Sequence, residues 1–401
     1  MKERIELSLS KKYVSSWTYI EAIRELLQNA IDSEVDGNTI EIDYYSKKLT
    51  IRSIGSHLEK STLLLGESGK NNNKYIGKYG EGYKLAVLVL EREEKNVSIY
   101  TNGELWKPNF EHSETFDEEL LTINITKSDE YDNEVVVFEI NNIEQSEMAK
   151  LRDNFIALDR YLGREIGATR ESEYGLVLLN SEYKGKFYVN GLFVQKDTEF
   201  KYGYDFKNEY VNLDRDRKAI NYYELKELTA KALTNCGDAT LLVNGLKENI
   251  VDLRDSEEVL SEISEEQSIN FKKHYFEKYQ LEEETFIGTD KMIEISGQEK
   301  TKVENEIITK IIFKADDKEE EFESYKTKIQ NKDDKASAIN AFNQSVYKKL
   351  YIWFKENEKR LTKKSKQQFI DILNNDVPKP STFNLIKDEI DEVIEIERGN
   401  E

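Results

Sequence analysis

Apolar residues recur at helical spacing from Trp17 to Val35. At about 100° per residue, Ile20, Ile23, Leu27, Ala30 and Ile31 gather on one side. Thr18 followed by Glu21 has the form of a capping box, so the spacing predicts a helix over 17–35. The period then changes to two. TIEIDYY (39–45) and LTIRSI (49–54) read as strands joined by Ser46-Lys47-Lys48. A Gly/Asn-rich stretch, GESGKNNNKYIGKYGEG (66–82), precedes the apolar segment YKLAVLVLER (83–92), which reads as a second helix. VSIYT (97–101), LLTINIT (120–126) and EVVVFEI (134–140) read as further strands. The pattern predicts an α+β domain, with helices on one side of a mostly antiparallel sheet.

Ile143, Met148, Leu151, Phe155, Leu158, Leu162 and Ile166 keep a helical spacing, which predicts one connecting helix over 143–166. A second α+β stretch follows through YGLVLLN, GKFYVNGLFVQ and YVNLDRDRKAINYYELKELTAKAL. From about residue 250 the chain is rich in Glu and Lys with helical periodicity, which reads as a set of exposed helices. Pro378, Pro380, Ser381 and Thr382 interrupt it, and the acidic stretch IKDEIDEVIEIERGNE closes it. The expected division is 1–145, 146–250 and 251–401.

Composition narrows the function classes. Seventy-nine Asp and Glu against 58 Lys and Arg give a net charge of −21. That excludes binding to DNA or a membrane through bulk charge, though it leaves room for a local basic patch. Cys236 is the only cysteine, so no intrachain disulfide forms and a reducing compartment is expected. No apolar run reaches the roughly 20 residues that cross a bilayer, and MKERIELSLSKKYVSS has no apolar core of a secretion signal. A cytoplasmic protein is expected.

The first helix poses a chemical question. Glu25, Asn29 and Asp32 fall within about 60° of arc, away from the apolar side. On the helix alone, a solvated face is the simpler account, and a metal–nucleotide site is the other. Gly77, Gly80 and Gly82 then form GxxGxG, followed by Lys84. Glycines let backbone N–H groups approach a phosphate, and a helix N-terminus favours the anion. No parallel βαβ unit surrounds this motif, so it is not a dinucleotide fingerprint. Gly66-Glu67-Ser68-Gly69-Lys70-Asn71 has two residues between its glycines and lacks Ser or Thr after the lysine, so it is not a Walker A loop.

The order of ExxxNAxD on a helix, a strand hairpin, a polar loop, GxxGxG and a helix resembles the GHKL ATPases. These include gyrase-type topoisomerases, the ninety-kilodalton heat-shock chaperones, sensor histidine kinases and MutL. Residues 25–32 (ELLQNAID) look like the N box, 76–84 (IGKYGEGYK) like the G2 box, and 66–82 like the ATP lid. The resemblance covers roughly 1–145 and implies a Bergerat-type ATP-binding sandwich using ATP and Mg2+. It implies Asn29 as the Mg2+ ligand and Glu25 as general base. The backbone of Gly80, Glu81 and Gly82 would hold phosphate, with Gly77 in the same turn, Lys84 nearby and Asp32 at the pocket rim.

The adenine box departs from the family pattern. L49-T-I-R-S53-I-G55-S-H57 keeps Gly55, but Ser53 replaces the aspartate and His57 the second glycine. Ser53 is in phase with Leu49 and Ile51 and can still face the pocket, where its hydroxyl would bind an adenine amino group more weakly. His57 is expected at the pocket edge. The family's threonine has no clear match near Glu134-Val135-Val136. His274 reads as a surface helix histidine, and with no phosphoacceptor helix before the N box, kinase chemistry is disfavoured. The chaperone, gyrase and MutL branches add a transducer domain, which residues 174–235 suit. V211-N-L-D-R215-D-R217-K218 makes Arg215 the leading γ-phosphate contact, ahead of Arg217 and Lys218.

The expected function is a slow, Mg-dependent ATPase acting as a conformational switch on a protein partner or a second copy, with phage–host conflict an open role. One alternative is a degenerate fold that senses a nucleotide without turnover. Another is a MutL-like DNA-transaction ATPase, disfavoured by charge despite Lys70, Lys74 and Lys78. The C-terminal third lacks nuclease ligands and the long basic stripe of a DNA clamp, so a protein partner is expected there.

Overall fold

A computed structural model describes residues 3–64, 82–212 and 219–390. The first element is a strand at a sheet edge, β1 (Glu3–Ser10), then α1 (Tyr19–Val35), β2 (Thr39–Tyr45), β3 (Lys48–Ile54), α2 (Gly82–Arg92), β4 (Val97–Thr101), β5 (Glu104–Ser113), β6 (Glu118–Lys127) and β7 (Val135–Ile140). Thr18 and Glu21 form the expected capping box at the start of α1. The seven strands make one sheet in the order β1-β6-β5-β4-β7-β3-β2, with every neighbouring pair antiparallel. Ser46 and Lys47 close the β2–β3 hairpin with positive φ values of 53° and 64°, as a two-residue primed turn requires.

The sheet buries one face under α1 and α2. Leu49, Ile51, Phe138 and Ile140 share a core with Ile23 and Leu27 of α1 and with Val87 and Leu88 of α2. A smaller cluster of Tyr100, Val135 and Val137 lies on the other face.

β1 and β5 extend the sheet beyond the strands expected from the pattern. Pro108 obscures β5 in the sequence, because proline cannot donate to a ladder. The β4–β5 ladder runs only from Ile99–Trp106 to Thr101–Glu104, so Pro108 lies past its end.

The connecting helix is not continuous. α3 (Gln145–Asn154) and α4 (Ile156–Tyr161) are separated at Phe155, where φ is −137° and ψ 87°. Phe155 is buried and bridges to Leu192, which periodicity alone could not reveal.

A second sheet follows, formed by β8 (Thr169–Ser172), β9 (Gly175–Leu178), β10 (Lys186–Val189), β11 (Leu192–Lys196) and β12 (Gly203–Phe206) in the order β11-β10-β12-β9-β8. Asn190-Gly191 makes the β10–β11 turn, and a Cβ on Gly191 would run into Ala157 of α4. Helices α5 (Tyr222–Asn235), α6 (Ala239–Glu248) and α7 (Ser256–Glu262) complete this part. Asp252 is fully buried and accepts hydrogen bonds from Tyr204 Oη (2.6 Å) and the N–H groups of Lys201 (2.8 Å) and Tyr202 (3.2 Å).

Phe155, Ala157, Leu158 and Leu192 belong to the same core as α1. The regions expected as 1–145 and 146–250 therefore pack together in one unit, residues 1–263, and the second unit is 264–401.

The second unit holds α8 (Glu265–Tyr279), β13 (Phe286–Gly288), α9 (Asp290–Ser296), β14 (Thr301–Val303), α10 (Glu306–Ala315), α11 (Glu319–Asn343), α12 (Val346–Asn357) and α13 (Lys363–Asn375). β13 and β14 form a short parallel pair. These are more than exposed helices: Met292, Phe313 and Phe322 form one buried cluster, and Phe342, Tyr347, Phe354 and Leu373 belong to another. Among the described residues, no helix is long and apolar enough to cross a membrane.

Candidate functional site

The polar stripe on α1 is not a solvated face. Asp32 is fully buried, and Glu25 and Asn29 are half-buried. Asp32 therefore lies inside the packing of α1, where the rim of a pocket was expected. Asn29 makes no side-chain hydrogen bond among the described residues, which leaves its amide available one helical turn after Glu25.

α2 begins at Gly82, and Glu25 lies directly against that glycine. A Cβ on Gly82 would collide with Glu25 Oε2 and sit 3.2 Å from Glu25 Cδ. The carboxylate thus occupies space that any larger residue would fill. Gly77, Gly80 and Glu81 lie outside the described residues.

Lys84 is tied to the chain that ends at Leu64. Its side chain is buried, and Nζ donates to the carbonyl oxygens of Thr62 (2.8 Å) and Leu64. Its neighbour Tyr83 shares a 2.9 Å hydrogen bond with the Thr62 hydroxyl, and burial pushes the Tyr83 phenol up to about 12. Together these side chains fix the turn Lys60–Leu63 against the start of α2. A buried ammonium needs such partners, and two backbone carbonyls supply them.

Ser53 is buried on the helix-facing side of β3, in line with Leu49 and Ile51, and opposite Ile40 and Val136. No hydrogen bond among the described residues occupies its hydroxyl. Gly55 follows with φ +94°, a conformation that favours glycine. Its N–H donates to Glu134 O at 2.8 Å, and a Cβ there would meet Asn38 Oδ1 at 2.6 Å. His57 is exposed and pairs with Glu59 at 3.1 Å. The loop after Gly55 is held by two residues that pattern reading does not single out. Thr101 Oγ1 accepts from Leu58 N (2.9 Å), and Asn102 Nδ2 donates to Leu58 O (3.1 Å). Their only sequence signal is the turn-forming run Thr101-Asn102-Gly103.

Arg215, Arg217 and Lys218 also lie outside the described residues. A link from α4 to α1 is visible: Tyr161 Oη donates to Glu34 Oε2 at 2.8 Å. Among the described residues, no group of three or more His, Cys, Asp and Glu could cage a metal ion. A site completed by substrate oxygens and water is the form that suits Mg2+ with few protein ligands.

The family model described as the Mycoplasma pneumoniae MPN635 N-terminal domain matches residues 146–239. An uncharacterized protein of Mycoplasma pneumoniae (strain ATCC 29342 / M129) is 27% identical over 225 residues, spanning 53% of this chain and 89% of that protein. The family match runs from α3 to the first residue of α6. Glu25, Asn29, Ser53 and Gly82 lie outside it.

Proposed function

We propose that residues 1–145 bind a nucleoside triphosphate with Mg2+ in a Bergerat-type fold, and that the chain is an ATP-gated switch of the GHKL kind. The observation that carries this reading is the contact of the Glu25 carboxylate with the glycine that opens α2. It sets the last glycine of the second motif beside the carboxylate of the first, two positions remote in sequence.

The residues present fit such a ligand. Gly82 leaves room that a side chain would take from Glu25. Asn29 has a half-buried amide free of partners among the described residues. Ser53 presents a hydroxyl on the same side of the sheet as α1. When bound, Mg2+ would neutralise phosphate charge and orient the terminal phosphate for attack by water. In this reading Asn29 holds the ion through its side-chain oxygen. Glu25 accepts a proton from water, and the N–H groups at the start of α2 hold phosphate oxygens. Lys84 keeps Thr62 and Leu64 in place and so sets one edge of the site. Coupling to the rest of the first unit would run through Glu34–Tyr161, and a basic residue from 215–218 would sense the γ-phosphate. The switch would act on a protein partner or a second copy of the chain.

Ser53 favours a second reading, in which the nucleotide is sensed with little turnover. Calorimetric titration with ATP, GTP and ADP in the presence of Mg2+, followed by phosphate release, separates the two. Binding with release that is lost in Glu25→Gln supports the ATPase. Binding without release supports the sensor. Absence of binding by all three nucleotides overturns both.

A further inference from the structure

The chain carries a net charge of −21, yet from Lys335 to Ile370 it has nine Lys or Arg residues and two acids, Glu356 and Glu358. This stretch spans the end of α11, all of α12 and the first half of α13. Elsewhere in the same unit many lysines are paired: Lys291 with Asp333, Lys300 with Glu282, Lys326 with Glu306 and Lys332 with Glu294. Within the stretch, Lys349, Lys359, Arg360, Lys363 and Lys364 are exposed, and none pairs with a carboxylate among the described residues.

Two features show that these charges are not placed for the stability of the unit. Lys363 and Lys364 occupy the first turn of α13 behind its Thr362 cap with no acid in that turn, while Lys366, which follows, pairs with Glu358 at 3.6 Å. A helix N-terminus carries partial positive charge, so cations in that turn are unfavourable until an anion arrives. In addition, the Trp353 side chain is 47% exposed. Its ring centre is 5.2 Å from that of Phe369, which in turn stacks on Phe354 at 5.1 Å with 5° between the planes. The indole is backed by rigid rings on one side and open on the other. Lys349 lies one turn before Trp353 on α12, and Lys366 one turn before Phe369 on α13, so helical spacing puts charge beside the open ring on both helices.

We propose that this surface of the C-terminal unit, formed by α12, the turn after it and the start of α13, binds single-stranded nucleic acid. Phosphates meet the five cations, and a base stacks on Trp353. An exposed, backed aromatic beside cations is how sequence-tolerant single-strand binding works, because every base has a flat face to offer. A single strand is also the polyanion that an acidic chain tolerates best. It is narrow, and at physiological salt carboxylates more than about 8 Å away are screened from it. A duplex or an anionic membrane presents a broad surface that would meet the acids set among these cations, Glu356 and Glu358. The patch is shorter than the stripe a DNA clamp needs, which is why residue counting along the whole chain does not find it.

The test uses the full chain and a fluorescently labelled short oligo(dT), read by anisotropy. Five phosphate contacts to a single strand predict that affinity falls about 100-fold between roughly 50 and 200 mM salt. Lys363→Glu/Lys364→Glu is expected to weaken binding at least tenfold and to flatten the salt dependence, with a melting temperature equal to or slightly above that of the wild type. Trp353→Ala is expected to weaken it about tenfold, and oligo(dT) should quench the fluorescence of the wild type but not of Trp353→Phe. The wild-type salt titration keeps the proposal testable even if a variant folds poorly. No binding at the lowest salt overturns it, as does binding that neither substitution changes. Sedimentation with phosphatidylserine vesicles while oligo(dT) stays unbound overturns it in favour of a membrane surface. None of these readouts requires nucleotide turnover, so this proposal stands or falls separately from the one above.

Discussion

The Glu25 carboxylate and Gly82 share one place in the fold: the oxygen Oε2 fills the volume in which a side chain at position 82 would begin. A carboxylate at the end of a flexible side chain can move aside. Gly82→Ala is therefore expected to change stability by less than about 1 kcal/mol, while displacing the proposed base. Phosphate release should fall on the order of 100-fold, and adding Glu25→Ala should cost little more, because both substitutions remove one function. Full additivity of the two losses would show that Gly82→Ala acts other than through Glu25.

Ser53 tests which base is read. A carboxylate at this position would accept a hydrogen bond from an adenine amino group more strongly than a hydroxyl does. Ser53→Asp is expected to tighten ATP binding about fivefold relative to GTP. The same change should lower the melting temperature without ligand, since it buries a charge where a neutral hydroxyl now sits. Titration of both nucleotides against wild type and variant decides this, and an unchanged ATP-to-GTP ratio would remove Ser53 from the base site.

Arg92, at the end of α2, holds the chain before α1. Its guanidinium donates to the carbonyls of Lys11 (3.3 Å), Tyr13 (2.9 Å), Val14 (3.2 Å) and Trp17 (2.8 Å). Val14 sits at φ +45°, which is strained for a β-branched residue and is held by this clamp. Arg92→Met keeps much of the stem but removes the donors, and should cost about 2–3 kcal/mol. Chemical denaturation measures it. The loss should appear in proteolysis as cleavage within residues 11–17 before the rest of the sheet opens.

Glu111 gives the sheet edge an acid sensitivity. The Asn109 amide, the Arg4 guanidinium and the Asn124 amide bond its carboxylate and hold it down at about 2, against an ordinary value of 4.5. A lowered acid favours the folded state when ionised. Its contribution is complete above about 4.5 and is lost as pH falls towards about 2. Glu111→Gln should lower stability at neutral pH and reduce the slope of stability against pH in that window, as urea titrations at several acidic pH values would show. High salt should shrink the difference, because the pair with Arg4 is partly exposed.

Much of the first sheet was legible because its strands alternate and its helices carry local signals. The capping box at Thr18 and Glu21, the strands at 39–45 and 97–101, and the helix from Gly82 are all set by neighbours within a few residues. β5 was hidden because Pro108 reads as a breaker unless the end of the β4 ladder is known. The break at Phe155 was hidden for a similar reason: its cause, the bridge to Leu192, lies far along the chain. The basic surface on α12 and α13 disappeared in the overall charge, since composition averages over places that folding keeps apart.

The sequence by itself determined α1, α2 and most strands of the first sheet, and that a stripe of Glu25, Asn29 and Asp32 precedes a glycine-rich stretch. Periodicity and capping act over one or two turns, so the chain states them locally. Tertiary structure alone decided that Asp32 is enclosed, that Lys84 is spent on two backbone carbonyls, and that Glu25 reaches Gly82. Those facts depend on how α1 and α2 pack side by side on the sheet, a relation set by volume and burial across the whole core.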